Sequence, residues 1–223
     1  MKFFLLTYSN DKYEGKQEKI IDFSKENNIF DGYFNRNEKF LIETDFYKKN
    51  YEILSEERGN GYWMWKPYFI LESLKQIEFG DCVFYIDCGD MFKENILHFL
   101  SEYMEKNDLM ITSGTSVPNY KYTTKKCFEL MDCDEEKYHN FIQIEAGMIC
   151  VKKTDFSLSF ISKWLNYSKN KDIITDINNK DPENHNDFID HRHDQSILTN
   201  LLAKYDVPST KEIRKYAECN VND

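Results

Sequence analysis

Cysteine pairs at zinc-binding spacing are missing from this chain. Its six cysteines stand at 82, 88, 127, 133, 150 and 219, with no Cys-x-x-Cys among them. That excludes the usual frame of a structural zinc site. Cys82, Cys88 and Cys150 lie in apolar runs, where a thiol behaves as a small hydrophobe. All six read as free thiols of a reducing compartment. Long apolar runs are missing too. No segment approaches the roughly 18 residues of a transmembrane helix. The opening MKFFLLTYSND is too short in apolar residues for a signal-peptide core and reads as a buried first strand. A cytoplasmic protein is expected. Positive charge is in deficit: 29 Lys and Arg face 39 Asp and Glu, a net charge of −10. A general nucleic-acid binder would want a basic face, and docking on anionic lipid would want the same. A local basic pocket for phosphate is still allowed. There is no Walker P-loop, GxGxxG, GxSxG or HExxH motif, and no internal repeat.

What remains is an ordinary globular composition with an aromatic excess. Hydrophobic residues make 41% and charged residues 30% of the 223, against disorder; aromatics reach 16%. The length suits one domain with a sizeable core. Strands are expected at 2–8, in DCVFYIDCGD, in DLMITSG and in AGMICVKK. Helices are expected at 16–27, from a Thr44 cap to about Arg58, from Pro67 to Gly80, at 93–105, at 155–168 and from about Asp194 onward. Residues 169–190 read as a loop or lid. Alternating strands and helices predict an α/β fold with a mainly parallel sheet. Ligands of such sheets bind off the carboxyl ends of strands, which puts Asp87 and Asp90 on the functional edge.

Four stretches carry candidate chemistry. YIDCGD sets Asp87 and Asp90 after an apolar strand, a common way to hold a hard divalent cation against a diphosphate; as plain structure, they are a turn cap and a solvated residue. DFIDHRHDQSIL crowds His191, Arg192, His193, Asp194 and Gln195, and imidazole with carboxylate suits manganese or zinc. Two residues apart in extended chain, the two histidines would point to opposite sides. As plain structure, Asp194 is a helix N-cap. QIEAGMICV sets Glu145 before Ala146-Gly147, where nothing bulky shields a ligand; Gly147 could equally serve a bulge. NGYWMWKP supplies Trp63, Trp65 and Lys66, the lysine beside a helix start that could help bind phosphate; the tryptophans could equally be core.

Taken together and in this order, NGYWMWKPYFI, GDCVFYIDCGD, EAGMICV and HRHDQSIL resemble small glycosyltransferases of the GT-A type over about residues 1–205. The chain is most similar to capsular-polysaccharide and viral glycosyltransferases and distantly to retaining enzymes of glycosyltransferase family 8. The resemblance implies a GT-A-like, Rossmann-type, mainly parallel sheet flanked by helices in a single domain. It implies a nucleotide-sugar-binding half at 1–115, an acceptor-side half at 116–205 and a C-terminal tail at 206–223. It implies a nucleotide-sugar donor (UDP- or GDP-linked), a glycan acceptor, a role in polysaccharide biosynthesis and Mn²⁺ or Mg²⁺ as cofactor.

Carried onto this sequence, Asp87 matches the first acid of the metal motif. Asp90 follows Gly89, where the usual Asp-x-Asp has its second acid. His193 is a further metal or phosphate candidate. Thr7, Tyr8, Trp65, Lys66, Asp87, Gly147 and Arg192 are expected to bind the donor, and Gln195, Asp194 and Glu145 to be catalytic. Retention would rely on Gln195 or Asp194 to stabilise charge, inversion on Glu145 or Asp194 as base. Retention is the expectation. A catalytically inactive nucleotide-sugar-binding protein and a metal-dependent phosphohydrolase are the alternatives.

Overall fold

A computed structural model describes residues 1–114 and 116–219. The strands are β1 (Phe3–Ser9), β2 (Gly32–Asn37), β3 (Cys82–Asp87), β4 (Asp90–Phe92), β5 (Leu109–Thr112), β6 (Glu145–Lys152) and β7 (Ala217–Cys219). The longer helices among them are α1 (Glu14–Glu26), α6 (Trp65–Lys75), α7 (Leu97–Lys106), α10 (Asp155–Ser168) and α12 (His193–Tyr205). Short turns of helix fill the gaps: α2 (Glu38–Glu43), α3 (Asp45–Lys49), α4 (Tyr51–Leu54), α5 (Gly59–Tyr62), α8 (Lys125–Leu130), α9 (Glu136–His139) and α11 (Lys171–Ile174).

The main sheet runs β2-β1-β3-β6-β5. β2, β1 and β3 are parallel, β6 is antiparallel to β3, and β5 is antiparallel to β6. Strand alternation splits the core into two layers. Leu6, Val83, Tyr85, Ile149 and Val151 face α6, α10 and α12. Leu5, Phe84, Ile86, Met148 and Cys150 face α1 and α7. Apolar residues on both faces make β1 and β3 central strands.

The sheet is mainly parallel, as expected, with one strand reversed. AGMICVKK is a strand, but it enters the sheet against its neighbours, with Ile86 opposite Met148. The start of β6 therefore meets the end of β3. Glu145 and Gly147 reach the carboxyl edge of the sheet because they begin an antiparallel strand, not because they end a parallel one.

Other boundaries moved for local reasons. Thr44 does cap a helix, accepting from the Tyr47 amide, but that helix stops at Lys49 and Tyr51–Leu54 forms a separate turn. The helix expected at 93–105 starts at Leu97, after Asn95 binds the Leu97 amide. α6 ends at Lys75, and Gly80 sits beyond it in a left-handed turn. Within 169–190, Ile173 and Ile174 are buried by α11. β2, with the polar sequence GYFNRN, is an edge strand without the apolar run that marks β1 and β3. The final segment, read from sequence as a tail, holds β7, which pairs with β4 in a separate two-stranded sheet. Five buried cysteines are free thiols; the side chain of Cys219 and residues 220–223 lie outside what is described.

Candidate active site

The aromatic stretch before α6 is wound the wrong way. Gly59, Asn60, Gly61, Tyr62 and Trp63 all have positive φ, between 50° and 88°. A left-handed turn costs roughly 1–2 kcal/mol per non-glycine residue, so neighbours must hold it. A Cβ on Gly61 would lie 2.5 Å from the Leu54 Cα, and one on Gly59 2.4 Å from the Trp63 ring. Trp65 Nε1 donates to the Gly59 carbonyl at 3.0 Å. The turn launches α6 so that Trp63 and Trp65 face a cavity and Lys66 runs beneath the end of β3. Trp65 is both core and wall: it is buried, yet it lines the cavity and stacks on Tyr8 at 3.8 Å.

Lys66 is the centre of the site. It is 3% exposed. Its ammonium lies 3.3 Å from Asp87 Oδ1 and 3.3 Å from Asp194 Oδ2, and donates to the Ala146 carbonyl at 3.0 Å. Burial alone would push its pKa down, but Asp194 and Asp87 outweigh that and raise it. One cation thus serves two carboxylates. Asp194 is held by its backbone: Trp164 Nε1, from α10, donates to its carbonyl at 2.9 Å. Its Oδ2 meets Lys66 off the hydrogen-bond direction and has no hydrogen-bond partner. Asp194 is not the helix N-cap; it lies inside the first turn of α12, after Arg192.

Asp87 and Asp90 converge on Gly147. Asp87 Oδ1 accepts from the Tyr85 hydroxyl, and Asp90 Oδ1 accepts from Arg214 at 3.0 Å. Their other oxygens turn to the same spot: a Cβ on Gly147 would lie 2.8 Å from Asp90 Oδ2 and 3.3 Å from Asp87 Oδ2. Burial first, then Asp87, lifts Asp90 to about 6 against the pull of Arg214. Oxygen donors from two carboxylates, left bare by the missing Cβ, fit a hard divalent cation such as Mn²⁺ or Mg²⁺. Among the described residues no three His, Cys, Asp or Glu gather into a site made by protein alone. Such an ion would draw its remaining ligands from diphosphate and water. Gly147→Ala should weaken Mn²⁺ binding at least about tenfold, because the methyl group displaces both oxygens. Calorimetric titration of the folded variant reads this directly.

Glu145 is engaged by Arg214, which bridges it to Asp90. Nothing in the sequence pointed to Arg214; it arrives through the β4–β7 pairing, 124 residues from Asp90. Tyr85 was likewise unremarked, one more apolar-looking position in β3. Gln195 Oε1 accepts from the Ala146 amide at 3.3 Å, tying α12 to the start of β6.

Two site expectations need revision. Thr7 is fully buried and accepts from Gln17 of α1 at 2.8 Å, so its side chain faces the helix and not the cavity. Tyr8, its neighbour, does line the cavity. The histidines do not diverge. His191 Nε2 donates to the Ile173 carbonyl at 2.7 Å and His193 Nδ1 to the Ile174 carbonyl at 2.8 Å, their rings 5.3 Å apart. Together they close over the end of α11. Among the described residues, His193 joins no group of three metal-binding side chains. Arg192 is exposed at the rim, its guanidinium 4.8 Å from the Tyr122 ring.

Two cavities meet at Asp87 and Trp63. The larger, about 380 Å³, is lined by Tyr8, Asn10, Lys12, Trp65 and Gly89 besides these two. The smaller, about 160 Å³, is lined by Lys66, Gly147, Arg192, His193, Asp194 and Gln195.

Burial, opposed by Lys66 and reinforced by Asp87, raises Asp194 to about 6. A carboxyl whose folded pKa exceeds its unfolded value near 4 keeps its proton in the native state after the unfolded chain has lost it. Its effect is nil below about pH 4 and turns against the fold as pH rises to about 6. Wild-type stability should therefore fall relative to Asp194→Asn between pH 4 and 6, by about 2 kcal/mol. Urea midpoints at several pH values test this; parallel curves would contradict it.

No known protein-family profile matches the chain, and no curated protein matches it. Solved structures do. Mouse xyloside xylosyltransferase 1 in its apo form is similar at 10% identity and TM-score 0.52, over 94% of this chain and 84% of that one. The bifunctional glycosyltransferase WbbM, also apo, is similar at 10% identity and TM-score 0.51, over 90% of this chain but only 37% of that one. At such identities the likeness is one of fold, and the fold of this chain is that of the GT-A-type glycosyltransferases.

Proposed function

We propose that the protein transfers a sugar from a nucleotide-sugar donor to a hydroxyl of a glycan acceptor, with retention at the anomeric carbon. The observation that carries this reading is the pair of cavities joined at Asp87. The larger suits a nucleotide: Tyr8 and Trp65 supply aromatic wall, Asn10 and Lys12 polar contacts for a UDP- or GDP-moiety. The smaller suits one sugar ring. The diphosphate then lies where they meet, beside Asp87, Asp90 and Gly147. Asp87 and Asp90 would hold Mn²⁺ or Mg²⁺ there, and the ion supplies charge neutralisation for the departing nucleoside diphosphate.

The chain's own groups account for the rest. Asp194, buried and paired through Oδ2 with the Lys66 ammonium, faces the positive charge that develops on the sugar as its bond to the diphosphate breaks. Gln195, fixed on the Ala146 amide, lines the same wall. The acceptor oxygen forms the new bond to C1, and its proton passes to the departing diphosphate oxygen. Glu145 is neutralised by Arg214 and Asp194 is held by Lys66. With neither carboxylate free to act as a strong base, retention is favoured over inversion.

Thermal unfolding against a panel of nucleotide sugars, with and without Mn²⁺, tests the reading. A shift of several degrees for one donor, dependent on Mn²⁺, followed by transfer to a glycan acceptor, is expected. A shift without metal dependence or transfer points to an inactive binding module, a reading favoured by Arg214 already sitting against Asp90. No shift with any donor, in folded protein, overturns both. A phosphohydrolase centre on His191 and His193 has less support, since each ring is tied to a backbone carbonyl. No helix among the described residues is long and apolar enough to cross a membrane.

A further inference from the structure

His193 holds a buried lone pair with nothing to accept. Its side chain is 2% exposed. Nδ1 faces the Ile174 carbonyl at 2.8 Å. A carbonyl only accepts, so Nδ1 carries the proton and Nε2 is an acceptor. Nε2 has no hydrogen-bond partner; the nearest charged oxygen, Asp176 Oδ1, is 3.7 Å away and is itself an acceptor. Burial, and the positive charge of Arg58, keep the ring neutral, its pKa lowered to about 4 against the help of the Ile174 carbonyl. The ring is also locked in place: Trp63 stacks on it at 5.6 Å and Tyr62 packs at 4.9 Å. The backbone beneath is strained, with φ 51° at a non-glycine residue. Strain that the surroundings enforce tends to gather at working sites.

The same small cavity is lined by Asp194, whose Oδ2 meets the Lys66 ammonium at 3.3 Å. His193 Nε2 has no such partner, and a buried acceptor without a donor is costly. A ligand that brings a hydroxyl group to Nε2 relieves that cost. We propose that His193 Nε2 accepts a hydrogen bond from one hydroxyl of the transferred sugar and so selects donors that carry that hydroxyl. This rests on the transferase reading and adds the residue that reads the sugar.

The test uses the full chain and calorimetric titration. UDP- and GDP-linked hexoses and pentoses are screened first, then the monodeoxy analogues of whichever binds. Wild type should lose about 10- to 100-fold in affinity for one monodeoxy analogue, because that analogue leaves Nε2 unpaired. His193→Asn tolerates the left-handed backbone, and its shorter side chain leaves the amide oxygen short of the position Nε2 holds. It should bind the intact sugar and that analogue about equally, with affinity for the nucleoside diphosphate alone unchanged. A second readout needs no variant: the ¹⁵N resonance of His193 Nε2 should move on binding the intact donor and stay put with the analogue. Equal wild-type affinity for the intact donor and all its deoxy analogues overturns the proposal, as does discrimination that survives in His193→Asn. If wild type binds no nucleotide sugar and no nucleoside diphosphate, the transferase reading itself fails.

Discussion

Lys66→Met is expected to destabilise the protein by about 3–5 kcal/mol, the usual consequence of stripping a buried ion pair of one partner. The lysine is the only cation within 4.0 Å of Asp87 or Asp194 among the described residues. Without it two carboxylates face each other at the mouth of the small cavity, and the Ala146 carbonyl loses its donor. Asp194, already raised to about 6, would take up a proton at neutral pH instead of staying charged. Adding Asp194→Asn to Lys66→Met should therefore recover a large part of the loss, a coupling that a double-mutant cycle in urea reads directly. A single variant within about 1 kcal/mol of wild type would show that the buried charges are not coupled as the geometry indicates. Lys66→Arg is no conservative escape, since a planar fork does not fit a pocket built around a point charge.

Asp87→Asn should remove roughly 1000-fold or more of kcat/KM for sugar transfer, several kcal/mol of transition-state stabilisation. Asp87 is the residue where the two cavities meet, and it joins three features in one carboxylate: the Lys66 pair, the Tyr85 hydroxyl and the free oxygen over Gly147. The amide keeps the shape but not the charge. Stability should change by less than about 1 kcal/mol, because Lys66 retains Asp194 and the Asp87 side chain is partly exposed. Loss of transfer with unfolding unchanged separates a role in the chemistry from a role in the fold. Substantial residual transfer would remove Asp87 from the mechanism.

Much of the frame could be read from the chain before any coordinates. β1 and β3 announce themselves as uninterrupted apolar runs, and the helix expected at 155–168 is α10, which the structure caps with Thr154. Asp87 and Asp90 could be placed at the carboxyl edge of the sheet from the strand that precedes them; that both turn an oxygen toward Gly147 could not. The aromatic run before α6 was legible as unusual but not as left-handed, since a chain of positive φ values depends on Leu54 and Trp63 packing against the two glycines. Thr7 was misjudged because alternation tells which residues share a face and not which face meets solvent; α1 covers the Thr7 side.

Local chemistry in the sequence by itself determined that this is an α/β domain with a central apolar strand ending in acids, an Asp-Gln helix start and a small-residue strand start. Those features depend on hydrophobic periodicity and on residue type, both of which act over a few residues. Only the tertiary structure decided that β6 runs antiparallel, so that Gly147 meets Asp87 and Asp90. Only it brought Lys66 between Asp87 and Asp194, turned both histidines onto one carbonyl-lined turn, and carried Arg214 to Asp90 across 124 residues. Strand direction and ion-pair partners are set by how whole layers pack and by which buried charges must be neutralised. Those are sums over the folded chain, and no short stretch of residues contains them.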